Sequence, residues 1–156
     1  MTNISGKKSF MGFTLLELIT VVIVLSVLAG LAVPRYFTTI EKVRSSEGVH
    51  TLTVLLSAQK RYFLENNAYK AGTGAGGAVT CGGGTRLKNS PSGDLDVDIP
   101  TSNNFDIPCI NNGEPIASVV RNNGATKLYT LDITSAGVIN CTNSAPYTYC
   151  SKIKSW

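Results

Sequence analysis

The sequence predicts an α+β protein in which one long N-terminal helix packs on a small antiparallel sheet, and three observations carry that expectation. Residues 13–33 form an apolar run holding a single charge, Glu17. Residues 35–66 contain one glycine, no proline and apolar side chains at helical spacing. After Pro108 come three short runs rich in β-formers, separated by turn signals. With 156 residues there is room for one modest domain, of which the apolar run takes a share. A formal net charge of +4 and a charged fraction of 15% are too small to indicate a nucleic-acid binder by themselves.

The apolar run comes first. As a helix rising about 1.5 Å per residue it spans roughly 30 Å, the thickness of a bilayer core. Lys7 and Lys8 precede it, and basic flanks stay in the cytoplasm, which sends everything after Val33 outward. A cleavable secretory signal has a shorter apolar core, although Gly30-Leu31-Ala32 offers small residues for cutting. A plain single-pass anchor fits the length but not Glu17, since a carboxylate inside hydrocarbon costs about 2.5 to 3.5 kcal/mol even on lenient scales.

The helix is expected to continue from Arg35 to about Asn66. Val49, Leu52, Leu56 and Phe63 fall at steps of three, four and seven, which places them on one face. The segment Gly30 to Pro34 is the expected weak point, because Pro34 removes a hydrogen bond and clashes with the carbonyl four residues back. His50, on a polar stretch, reads as a surface residue.

Beyond the helix, "AGTGAGGAVTCGGGT" from Ala71 to Thr85 contains a formal G-x-G-x-x-G at Gly72, Gly74 and Gly77. A dinucleotide site needs a strand before it and a helix after it; here a helix precedes and more glycine follows, so the run reads as a surface loop. In "GDLDVDIP", Asp94, Asp96 and Asp98 alternate with Leu95, Val97 and Ile99. Calcium is one reading of three acids at period two, but the glycine and distal glutamate of an EF-hand loop are missing. A short amphipathic strand with its acids outward is the favoured one. "ASVVR", "KLYTLDI" and "GVINC", divided by "NNG" and "TSAG", then predict an antiparallel meander. Val119, Leu128, Leu131, Ile133 and Val138 are its candidate core. Cys81, Cys109, Cys141 and Cys150 all follow the apolar run, and an even count in an oxidising compartment argues for two disulfides. Zinc would want C-x-x-C pairs or nearby histidines. No motif unites nucleophile, base and acid, so the sequence predicts no enzyme, no cofactor and no metal site.

Gly12 followed by "FTLLELITVVIVLSVLAGLAVPRY" resembles the N-terminus of type IV pilins and the related pseudopilins. The resemblance covers residues 7 to about 66 and implies a pilin-like fold. It implies that residues 1–12 are a leader removed after Gly12 by a prepilin peptidase, leaving Phe13 as an N-methylated terminus. Residues 13–34 would then be the transmembrane and filament-core part of the helix, 35–66 its amphipathic second half, and 67–156 the head. Cleavage creates a cationic amine on Phe13, and a buried charge is tolerable chiefly when paired. The family role implied for Glu17 is to attract that amine on a neighbouring subunit, while Pro34 falls at the family's helix-perturbing proline. A C-terminal loop closed by Cys141 and Cys150 also resembles pilins. Of three possible pairings, Cys81 with Cys109 and Cys141 with Cys150 is favoured.

The implied function is that of a structural subunit polymerised into an extracellular pilus. The alternative is a minor or competence pilin, or a type II secretion pseudopilin. Implied partners are other pilin subunits, the prepilin peptidase, an assembly platform and a motor ATPase. The precursor would sit in a bacterial inner membrane with its head in the periplasm. A DNA or surface-ligand contact is conceivable at Lys152 and Lys154 beside Tyr147, Tyr149 and Trp156, since aromatics stack on bases and lysines neutralise phosphate.

Overall fold

The computed structural model describes residues 13–72, 85–87, 95–99 and 102–153. In chain order its elements are α1 (Leu15–Asn66), β1 (Thr85–Arg86), β2 (Cys109–Ile110), β3 (Ala117–Asn123), β4 (Thr126–Ile133), β5 (Ile139–Asn143) and α2 (Cys150–Ile153). The strands form one sheet in sequential order, each pair antiparallel. The chain divides into two compact units, one ending at Phe37 and the other beginning at Thr38. The boundary therefore falls within α1, close to the junction expected at Pro34, which lies inside the helix.

Local chemistry accounts for both ends of α1. Thr14 stands just before the first helical residue and its Oγ1 accepts the Glu17 N–H at 3.3 Å, while its carbonyl accepts Leu18 N–H at 3.2 Å. That is N-cap geometry, and it satisfies a donor the helix itself leaves unpaired. At the other end Asn67 adopts φ 53° and its N–H donates to Phe63 O at 2.8 Å. Asparagine tolerates this left-handed conformation and closes the helix as an αL cap.

Within the second unit, α1 buries Glu41, Ser45, Gly48, Leu52, Leu55, Ala58 and Gln59. All but Ala58 form a line at alternating steps of four and three. The expected apolar face is corrected accordingly. Leu52 is buried, Val49 and Leu56 are half-buried, and Phe63 is exposed. The buried line includes small and polar residues because the sheet and residues 102–106 approach the helix closely at Gly48. Phe63 packs instead on Tyr69, ring centroids 4.8 Å apart.

The meander follows the expected runs. Asn123 pairs with Thr126, leaving Gly124 and Ala125 as a two-residue turn with Gly124 at φ 63°, a conformation that glycine adopts without steric cost. Ala117, Val119 and Arg121 lie in register with Ile133, Leu131 and Tyr129, so these six residues share one face. A register shift between Arg121 and Asn122 inserts Leu128 as a bulge, which explains why the adjacent Leu128 and Tyr129 are both buried. Val119, Leu128, Leu131 and Ile133 are core residues as expected. Val138 is not: it is 55% exposed in the turn before β5, which begins two residues later than "GVINC" suggested.

Residues 95–99 form no strand, which corrects the reading of the acidic repeat. The alternation survives without a ladder, with Leu95 and Ile99 buried and Asp96 and Asp98 exposed. Asp94 lies outside the described residues, as does most of the glycine run, although Thr85 at its end belongs to β1. The expected Cys141–Cys150 bond is present across a separation of 9 residues. Cys109 is disulfide-bonded; its expected partner, Cys81, lies outside the described residues.

Candidate functional site

Two regions carry the functional argument. The first is the exposed part of α1. Every residue from Phe13 to Phe37 is exposed, including Leu15, Leu16, Ile23, Leu25 and Leu28. Among the described residues α1 is the one helix long and apolar enough to cross a membrane, by length and composition. Two of its hydroxyls are satisfied by the helix itself. Thr20 Oγ1 donates to Glu17 O at 2.9 Å and Ser26 Oγ donates to Ile23 O at 2.7 Å, the back-bonding that allows hydroxyls in an apolar helix. Glu17 lies in the first turn, where the positive end of the helix dipole favours a carboxylate. The structure thus places Phe13 and Glu17 at one end of the apolar stretch. Gly12 lies outside the described residues.

The second region lies inside the head and was not anticipated. Arg121 is 3% exposed and Glu41 is 8% exposed, and the two meet in an ion pair with Nε 2.8 Å and Nη2 3.4 Å from the carboxylate. Tyr129 donates its hydroxyl to the same Glu41 Oε1 at 3.1 Å, and Arg44 stands 3.5 Å from Oε2. The second guanidinium arm, Nη1, donates to the carbonyls of Asn104 and Asn122. Each charge is therefore paired and further hydrogen-bonded, the condition under which burial is tolerable. Burial raises the Tyr129 hydroxyl pKa well above its ordinary value, and the Glu41 charge and hydrogen bond push it the same way; Arg121 and Arg44 oppose them. The hydroxyl stays a donor at any ordinary pH. Asp132, on the opposite face of β4, is also raised, by burial and against the pull of Lys127.

A second polar anchor lies 18 residues along the same helix face. Gln59 is fully buried; its Nε2 donates to Lys70 O at 2.8 Å and its Oε1 accepts Lys70 N–H at 2.9 Å. This fixes the chain leaving α1 back onto the helix.

Of the C-terminal aromatics, Tyr147 and Tyr149 are half-buried. Tyr147 stacks on Tyr149 at 5.8 Å, and Tyr149 lies 6.0 Å from the buried Tyr129, so both rings pack against the head. Lys152 is exposed, and Lys154 and Trp156 lie outside the described residues. Among the described residues no three His, Cys, Asp or Glu side chains are grouped to hold a metal ion.

Comparison with known proteins gives partial matches. The chain is 38% identical over 63 residues to a type II secretion system core protein G of Aeromonas hydrophila, covering 40% of this chain and 44% of that protein. It is 38% identical over 58 residues to the type IV major pilin protein PilA of Myxococcus xanthus, covering 37% of this chain and 26% of that protein. Over these stretches the chain is similar to type IV pilins and type II secretion pseudopilins. A second core protein G, from Pectobacterium carotovorum subsp. carotovorum, is 43% identical over 58 residues, 37% of each chain. These matches span less than half the length of each relative. No protein-family model matches this chain, and no solved structure matches it.

Proposed function

We propose that this chain is a filament subunit, matured by cleavage after Gly12 and N-methylation of Phe13, and polymerised into an extracellular pilus through residues 13–34. The observation that carries the proposal is the exposed apolar helix with its lone carboxylate at Glu17. In a precursor the bilayer covers that apolar surface; in a fibre the same helix from other subunits would do so, with Glu17 drawing in the new Phe13 amine. The role is structural rather than catalytic. Prepilin peptidase, an assembly platform and a motor ATPase are the partners such a pathway requires. The precursor would lie in the bacterial inner membrane with residues 67–156 in the periplasm.

A second reading, a type II secretion pseudopilin, is favoured by the relatives named core protein G. Abundance separates the two. A pilus subunit should dominate fibres sheared from the cell surface; a secretion pseudopilin should stay with the envelope and, when deleted, block export of secreted proteins. Absence from both fibres and envelope assemblies would reject both readings.

A further inference from the structure

Glu41 is the first buried residue along α1: residues 13–37 are exposed, and Thr38 and Ile40 are half-buried. What it meets is a buried charge whose other hydrogen bonds are already committed. Arg121 gives Nε and Nη2 to Glu41, at 2.8 and 3.4 Å, and Nη1 to the carbonyls of Asn104 and Asn122. Opening of α1 that stops short of Glu41 takes no partner from Arg121. Opening that passes it strands a buried guanidinium, which is strongly unfavourable. We propose that Glu41 is a melting stop: loosening of α1 from its N-terminal side halts there, and the head holds the helix intact from Glu41 onward. This inference concerns the head and its grip on the helix, and it does not depend on the filament reading.

Packing alone would set the limit elsewhere. The next buried residues along the line are Ser45 and Gly48, which bring almost no apolar surface, and the first large one is Leu52. Hydrophobic burial by itself would therefore let fraying run about three turns further. Glu47 supplies a second tie, since its carboxylate accepts Asn104 Nδ2 at 3.1 Å, and Asn104 is also a residue that Arg121 grips. The two ties bind α1 to Arg121 and to Asn104 ahead of Leu52.

Hydrogen–deuterium exchange of the full chain in detergent micelles tests the stop. In the unaltered protein the amides of 45–51, which bond to carbonyls from Glu41 onward, should exchange as slowly as those of 55–63. In Glu41→Gln they should exchange about tenfold faster or more, the loss expected when a hydrogen-bonded charge loses its charged partner. The amides of 55–63 and of β4 should hold. Glu41→Asp, which keeps the charge but shortens its reach, should give a smaller acceleration over the same residues. Unchanged exchange at 45–51 in Glu41→Gln would overturn the proposal, as would acceleration spread evenly over β3 and β4. If Glu41→Gln does not fold, the comparison within the unaltered chain still decides: faster exchange at 45–51 than at 55–63 would place the limit at Leu52 and refute the role of Glu41.

Discussion

Replacing Gly48 with alanine sets two effects of known size against each other. In a helix interior the change gains about 1 kcal/mol from propensity. At Gly48, however, an added Cβ would lie 2.8 Å from both Cε1 and Cζ of Phe105 and 3.0 Å from Cδ1 of Leu131. Phe105 is 7% exposed and meets Tyr129 edge to face at 6.3 Å, and Tyr129 is itself hydrogen-bonded to Glu41. The ring has little room to swing away. Overpacking of a core costs about 1 to 3 kcal/mol, and two ring contacts this short belong in the upper part of that range. Gly48→Ala should therefore destabilise the head by about 1 to 2 kcal/mol net. Thermal unfolding of the full chain in detergent, followed by near-UV circular dichroism, would measure it. Adding Phe105→Leu should cost less in the Gly48→Ala background than alone, because the shorter side chain relieves the clash. A Gly48→Ala protein more stable than the parent would refute the close approach of residue 105 to the helix.

Three further outcomes are expected. Gln59→Leu should lose about 2 to 4 kcal/mol, since it deletes two short neutral hydrogen bonds to Lys70 and leaves their backbone partners to find water; faster exchange of the Lys70 amide would register it. Tyr129 holds its proton more tightly folded than unfolded, so the stability it contributes is complete below the ordinary tyrosine value near 10 and is lost as pH rises beyond it. Tyr129→Phe should thus show a shallower alkaline decline in stability than the parent, and identical slopes above pH 10 would argue against a buried hydroxyl. Glu17→Val should insert into membranes at least as well, having lost a charge costing a few kcal/mol there, yet assemble poorly; normal fibre yield would remove the assembly role of that carboxylate.

The long helix and the meander were legible because each rests on local signals. Apolar length marks residues 13–33, and Gly124 and Gly137 mark the turns, with φ values of 63° and 85°. Apolar spacing finds Val49, Leu52 and Leu56 against the core but not the polar ends of the buried line. Glu41 and Gln59 are buried by virtue of partners far off in sequence, Arg121 being 80 residues from Glu41, and no periodicity of apolar residues can signal that. In "ASVVR" the arginine has the same parity as Ala117 and Val119, which is what carries it inward. The bulge at Leu128 is a property of strand pairing and left no trace in β4 alone. By contrast the N-cap was available: Thr14 stands three residues before Glu17, a capping-box spacing. There the backbone N–H of Glu17 is satisfied by Thr14 Oγ1.

Residues 13–34 are proposed as the matured, assembling end of the chain. Mass spectrometry of fibres sheared from cells producing this protein would test that most directly. The expected result is an N-terminal peptide that starts at Phe13 and carries one added methyl group, from a protein abundant in the fibres. Fibres built from chains that retain Met1 to Gly12 would contradict it.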